Sequence, residues 1–373
     1  MRMKAFWRYA AISLFVLQMS VGLRAEQPMF ELGVVAPSRA PDFVTNAYSV
    51  IARLTNGRLV IVYSVVGSQK PSKMKIVSSV SDDGGKTWSA PKIVFDHPGA
   101  LDADPSLLVD RDRVLVFSTT VPEPTKIDRS LIYMRESKDG VNWGEEVLLK
   151  TPRRYIAGKI HQGHRLSDGT LIMSYAWDTW ADQGMPPATE GEMNLKAGVL
   201  RSTDGGKTWV PGADLYADVP KTSPHSTAGL DEAAIVVLAD GRVMTLMRAP
   251  GTKLYQSWSN DGGLTWETPR PSTLTAHNSP PALWKLDNSS DVVVVWNNSP
   301  TGRTPLCVAL SSNGGKSWSE PKVIVDTKGP QVSYPSVAQA KDGTIIAVWQ
   351  QQLPEGGREI RMARFNRAWL QGK

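Results

Sequence analysis

At 373 residues, 41% hydrophobic and 21% charged, the chain carries enough apolar material for a large core and too few charges for general disorder. Its single cysteine, Cys307, excludes an internal disulfide framework and a multi-cysteine metal centre. The formal charge of +6 is not gathered into a Lys/Arg stripe or an aromatic-interleaved basic tract, so a nucleic-acid partner is not expected.

The first element is a leader. Arg2, Lys4 and Arg8 precede an apolar stretch over residues 10–21, and Ala25 offers a small residue for cleavage. This pattern predicts a signal peptide over 1–25 and a mature domain over 26–373, secreted or periplasmic. The apolar run falls short of the ~20 residues a spanning helix needs, so no stable membrane span is expected. Loss of Arg2, Lys4, Arg8 and Arg24 takes the formal charge from +6 to +2, so most of the apparent basicity lies in the leader.

Six β-hairpins follow: ARLTNGRLVIVYS, LLVDRDRVLVFST, HRLSDGTLIMSYA, VVLADGRVMTLMR, LWKLDNSSDVVVVWN and VAQAKDGTIIAVWQ. Each sets a turn between β-rich halves. Between them recurs a second motif: SDDGGKTW at 81–88, SKDGVNW at 137–143, STDGGKTW at 202–209, SNDGGLTW at 259–266 and SSNGGKSW at 311–318. Its Asp83, Asp139, Asp204, Asp261 and Asn313 lie 56, 65, 57 and 52 residues apart. In such a turn the Asp or Asn side chain bonds its own backbone, the glycines permit positive φ, and the Trp packs the turn against a neighbouring strand. Five of the 13 Trp are thereby assigned to packing. Six comparable units in one chain predict an all-β, six-bladed β-propeller with Asp-box turns, the segment from Phe30 to Val35 completing the last blade.

Functional residues are sought where the scaffold does not require them. Tyr48, Asp104, Glu232 and Tyr334 each stand eight residues before a hairpin turn residue (Asn56, Asp112, Asp240, Asp342), and His161 stands seven before Asp168. If these hairpins are the inner strand pairs, the side chains open strands at one end of the propeller and surround its axis. Arg248 follows Glu232 by 16 residues, so the hairpin returns it to the same end, where a carboxylate–guanidinium pair can form. Arg303 precedes the fifth Asp-type turn in a loop that can reach that face.

The SxDGGxTW turns, Glu232 with Arg248, Arg303 before LCVALSSNGGKSW and Tyr334 in SYPSVAQAKDG together resemble the sialidase superfamily of bacterial-neuraminidase-repeat propellers. The resemblance implies an exo-acting glycoside hydrolase that removes terminal acidic sugars from glycans. It implies Tyr334 as nucleophile, Glu232 as its activating base, and Arg248 and Arg303 as holders of the sugar carboxylate. Two features depart from the family. Ser49 stands where the first of three arginines is expected, and residues 63–80, where the acid/base Asp is expected, contain no Asp or Glu. Asp104, His161 and His164 are the candidate replacements for the acid/base, with Tyr48 a further substrate contact. Two histidines and a distant carboxylate do not make a metal geometry, so neither metal nor cofactor is expected, and the domain is expected to be a monomer. Two other functions stay open: a polysaccharide lyase acting on uronic-acid glycans, with His or Tyr abstracting the α proton, and a noncatalytic glycan-binding propeller.

Overall fold

The computed structural model describes residues 26–38, 44–67, 74–122, 130–150, 162–179, 193–222 and 226–372. Strand pairing resolves them into six four-stranded antiparallel units. Blade 1 runs Thr45–Arg53, Leu59–Val66, Met74–Ser81 and Lys92–Phe95, and blade 2 runs Leu101–Asp110, Arg113–Val121, Leu131–Ser137 and Val147–Leu148. Blade 3 is Gln162–Arg165, Leu171–Asp178, Asn194–Ser202 and Val210–Pro211, and blade 4 is Asp231–Val237, Val243–Arg248, Lys253–Ser259 and Arg270–Thr275. Blade 5 is Ala282–Lys285, Val292–Asn297, Leu306–Ser311 and Lys322–Val325. Blade 6 takes Val332–Gln339, Ile345–Gln352 and Arg358–Phe365 from the C-terminal part and its outer strand, Phe30–Ala36, from the start of the described chain. Among the described residues no helix is long and apolar enough to cross a membrane.

The sequence pattern follows from position within a blade. Second strands such as LVIVYSVV and VVVVWN are buried on both faces and read as continuous apolar runs, whereas the outer Lys92–Phe95 leaves its first two residues exposed to solvent. The core therefore lies between blades. Ile61 and Tyr63 of blade 1 pack with Ile346 and Val348 of blade 6, and Val60 and Val62 pack with Val114 and Val116 of blade 2. Leu115 and Phe117 meet Met173 and Trp177, Ile172 meets Ile235, Met244 meets Val294, and Val293 meets Ala347. The contacts return to blade 1, so the ring closes and the sheet faces are hidden. Closure is reinforced where Phe30 pairs with Phe365 and stacks on Trp369.

The Asp-type turns are built as their composition requires. In blade 1 the Ser81 hydroxyl donates to Asp83 Oδ1 (2.8 Å) and accepts from Gly85 N–H (2.9 Å). Thr87 donates its N–H to Oδ1 (3.0 Å) and its hydroxyl to Oδ2 (2.6 Å). These donors outweigh burial and hold the Asp83 carboxyl down at about 2. Asp204 and Asp261 repeat the arrangement, and Asn313 does so with an amide. All five motif tryptophans pack against inter-blade clusters, Trp209 being nearly inaccessible.

Candidate active site

The inner strands share an unusual backbone feature. Tyr48, Asp104, Glu232 and Tyr334 have φ of 56°, 47°, 41° and 53°, and each falls within a register shift of its hairpin: Ala47/Val50, Ala103/Ser106, Asp231/Ala234 and Ser333/Ser336. A non-glycine residue in the left-handed region costs on the order of 1–3 kcal/mol and persists where the surroundings over-determine it. The bulge turns each side chain out of the pleat at the strand mouth. The four positions are therefore equivalent in conformation as well as in count. In the ring, Asp104 of blade 2 and Glu232 of blade 4 each stand two blades from Tyr334 of blade 6.

The hairpin of blade 4 brings Arg248 back beside Glu232. Arg248 Nη1 donates to Glu232 Oε2 at 2.8 Å, with the acid 2% and the arginine 12% exposed. Burial opposes the charge on Arg248, but Glu232, Tyr334 and Asp231 around it, together with the hydrogen bond to Glu232, keep its pKa above the ordinary arginine value. Asp231 Oδ1 in turn accepts the Glu232 N–H at 2.7 Å, fixing the bulge. The guanidinium of Arg303 lies over the Tyr334 ring, 5.1 Å from its centroid, and Tyr48 meets the same ring edge-on at 5.0 Å. Tyr334, Glu232, Arg248, Arg303 and Tyr48 thus converge in one cleft.

Two residues not singled out in the sequence complete it. Asn278, itself at φ 43°, accepts Arg248 Nε on its side-chain oxygen and Arg303 Nη2 on its carbonyl, both at 2.7 Å. One residue therefore sets the spacing of both arginines. Gln350 accepts the Tyr48 N–H at 3.1 Å and donates to Ser333 Oγ at 3.0 Å, tying the mouths of blades 1 and 6. Gln350 follows Tyr334 by 16 residues, as Arg248 follows Glu232, so the same hairpin rule could have found it. Asn278 lies between blades and had no such signal.

His164 is not brought to this cleft. Blade 3 pairs with blade 2 in parallel, Gln162 level with Leu107, so His164 sits well along its strand toward the turn end. Its Nε2 is bonded to Ile235 O at 2.9 Å, and burial pushes its pKa down. Arg53 likewise lies at the far end, paired with Asp287 at 2.6 Å, and Ser49 is buried, so neither supplies a third cleft arginine. His161 lies outside the described residues, as do residues 1–25, where the sequence predicts a leader.

The model of the BNR repeat-like domain family matches residues 57–347, most of the propeller. The chain belongs to that family. This BNR-repeat propeller falls in the sialidase superfamily. It is similar to a sialidase of Micromonospora viridifaciens, with 25% identity over 348 residues, covering 82% of the chain and 48% of the relative. It is also similar to a sialidase of Bacteroides fragilis, with 24% identity, covering 84% of the chain and 60% of the relative. The chain therefore spans about half to three-fifths of the length of these curated relatives. Among solved structures, the Hadza microbial sialidase Hz136 superposes with a TM-score of 0.71 at 16% identity, over 89% of this chain and 68% of that chain.

Proposed function

We propose that the cleft hydrolyses glycosides of acidic sugars, terminal sialic acids foremost, through a covalent intermediate on Tyr334. The observation that carries this reading is the convergence of Glu232, Arg248 and Arg303 on Tyr334, with Asn278 joining the two arginines. Two guanidiniums held at fixed spacing are suited to a carboxylate. A neutral phenol approaches an anomeric carbon bearing that carboxylate without the repulsion a carboxylate nucleophile would meet.

In the first step the Tyr334 Oη bonds to the anomeric carbon while Glu232 takes the phenol proton. The bond to the leaving oxygen breaks as Asp104 protonates it. In the second step water attacks the same carbon, Asp104 takes its proton, and the phenolate leaves and recovers its proton from Glu232. Two inversions give net retention at the anomeric centre. Tyr48 lies against the nucleophile ring and forms one wall of the sugar site.

A binding propeller without turnover is the second reading, favoured by the buried Ser49 at the expected position of a third arginine. The test is product analysis on sialosides and uronic-acid glycans with native protein, Tyr334→Phe and Glu232→Gln. Release of free acidic sugar by native protein, lost in both variants, supports hydrolysis. Binding with no product supports the second reading, and an unsaturated uronic product refutes both.

A further inference from the structure

The propeller axis has a second mouth, at the turn end of the inner strands, and it opens into a cavity of about 400 Å³. That volume lies within the range of small-molecule sites, roughly 300–1,000 Å³. Its floor is closed by Gln162, whose amide donates to the carbonyls of Ile51 and of Val337 (2.7 Å for the latter), linking blades 3, 1 and 6 across the axis. Arg53 comes five residues after Tyr48 on the same strand, about 16 Å at the usual rise per residue, so the cavity and the cleft occupy opposite ends of the molecule.

The register that defined the cleft also defines a ring at this mouth. Three residues before Asn56, Asp112, Asp168, Asp240, Asn288 and Asp342 stand Arg53, Val109, Arg165, Val237, Lys285 and Gln339. Blades 1, 3 and 5 contribute cations, and blades 2, 4 and 6 contribute neutral residues. All of these except Gln339 line the cavity, whose deeper wall includes Leu107, Val236 and the indole of Trp284, and its lining contains no carboxylate.

Arg53 and Arg165 are each steadied from outside the cavity, by Asp287 (2.6 Å) and Asp110 (2.8 Å), the latter shared with Arg113. Lys285 Nζ donates to the carbonyls of Leu286 and Ser289, at 3.2 and 3.4 Å, and has no carboxylate partner among the described residues. The mouth therefore keeps an excess of positive charge above an apolar chamber.

We propose that this second mouth is a binding site for a compact organic carboxylate, its acid groups in the Arg53, Arg165 and Lys285 ring and its apolar body against Trp284. The site is independent of the chemistry proposed for the cleft.

The probes are benzene-1,3,5-tricarboxylate, whose threefold acids match three cations on alternate blades, then benzoate, and benzamide as the neutral isostere. Binding is measured by calorimetry on the full chain at low salt. Affinity should fall in the order tricarboxylate, benzoate, benzamide. Lys285→Glu should weaken the tricarboxylate at least tenfold, and Val237→Trp, which fills the mouth, should abolish it. Arg303→Ala, which disables carboxylate binding in the cleft, should leave this component within twofold, and melting curves report whether each variant is folded. Absence of saturable binding, equal affinity for benzoate and benzamide, survival of the component in Lys285→Glu, or its loss in Arg303→Ala each overturns the proposal.

Discussion

Replacing Glu232 by Gln, alone and together with Arg248→Met, separates what the buried pair does for stability from what it does for chemistry. The substitution keeps shape and one acceptor oxygen but leaves Arg248 charged, with 12% of its side chain exposed and a 2.8 Å carboxylate contact gone. Breaking a buried pair by removing one partner costs about 3–5 kcal/mol, against about 0–1 for a surface pair. Asn278 still accepts Arg248 Nε, so the lower end, about 3 kcal/mol, is expected. For a folded chain of roughly 350 residues that corresponds to a fall in melting temperature of about 4 °C. Turnover should fall by about 10²–10⁴, since the phenol of Tyr334 loses its proton acceptor. The double variant Glu232→Gln/Arg248→Met removes the orphaned charge and should recover most of the lost stability with none of the activity. A single variant that melts and turns over like native protein, or a double variant less stable than the single one, contradicts these roles for the pair.

Further expectations concern the frame and its charges. Asn278→Ala should raise KM for an acidic glycoside about tenfold, an effect of roughly 1.4 kcal/mol, with kcat less affected, because it removes the side-chain acceptor of Arg248 Nε while the backbone carbonyl still holds Arg303; an unchanged KM contradicts its role as a spacer. His97, on the crossover into blade 2, contacts Asp102 through Nδ1 (2.8 Å) and Glu146 through Nε2 (2.9 Å). Burial lowers its pKa, but the two carboxylates outweigh it and raise the value above 6.5. Its stabilisation should be complete below pH ~6.5 and fade as pH rises through the higher folded value, and His97→Gln should flatten that slope in melting curves. Asp83→Ala removes an acceptor of several turn hydrogen bonds and should lower the melting temperature, whereas Asp82→Ala loses only an exposed pair with Arg58 and should change stability by about 0–1 kcal/mol.

The register of the repeat was legible because each blade repeats one spacing from mouth to turn. That spacing pointed to Tyr48, Asp104, Glu232 and Tyr334, and the hairpin length pointed to Arg248. It did not reveal their left-handed backbone, since Tyr and Glu carry no signal for positive φ and Asp a far weaker one than glycine. Asn278 escaped because its function lies in one side-chain oxygen and one carbonyl of an inter-blade segment. His164 was drawn toward the cleft by its neighbourhood with His161, but only the parallel pairing of Gln162 with Leu107 reveals how far along the axis it lies. The alternating cations of the second mouth were present in the same register at another offset, and their meaning required the cavity beneath them.

The central claim is that Tyr334 becomes covalently bonded to the sugar, and trapping tests it most directly. Native protein incubated with an activated 3-fluorosialosyl fluoride, digested and analysed by peptide mass spectrometry, should carry one fluorosugar on the peptide containing Tyr334, and Tyr334→Phe should carry none. Turnover of a natural sialoside with no adduct at Tyr334, or an adduct on a different side chain, would contradict it.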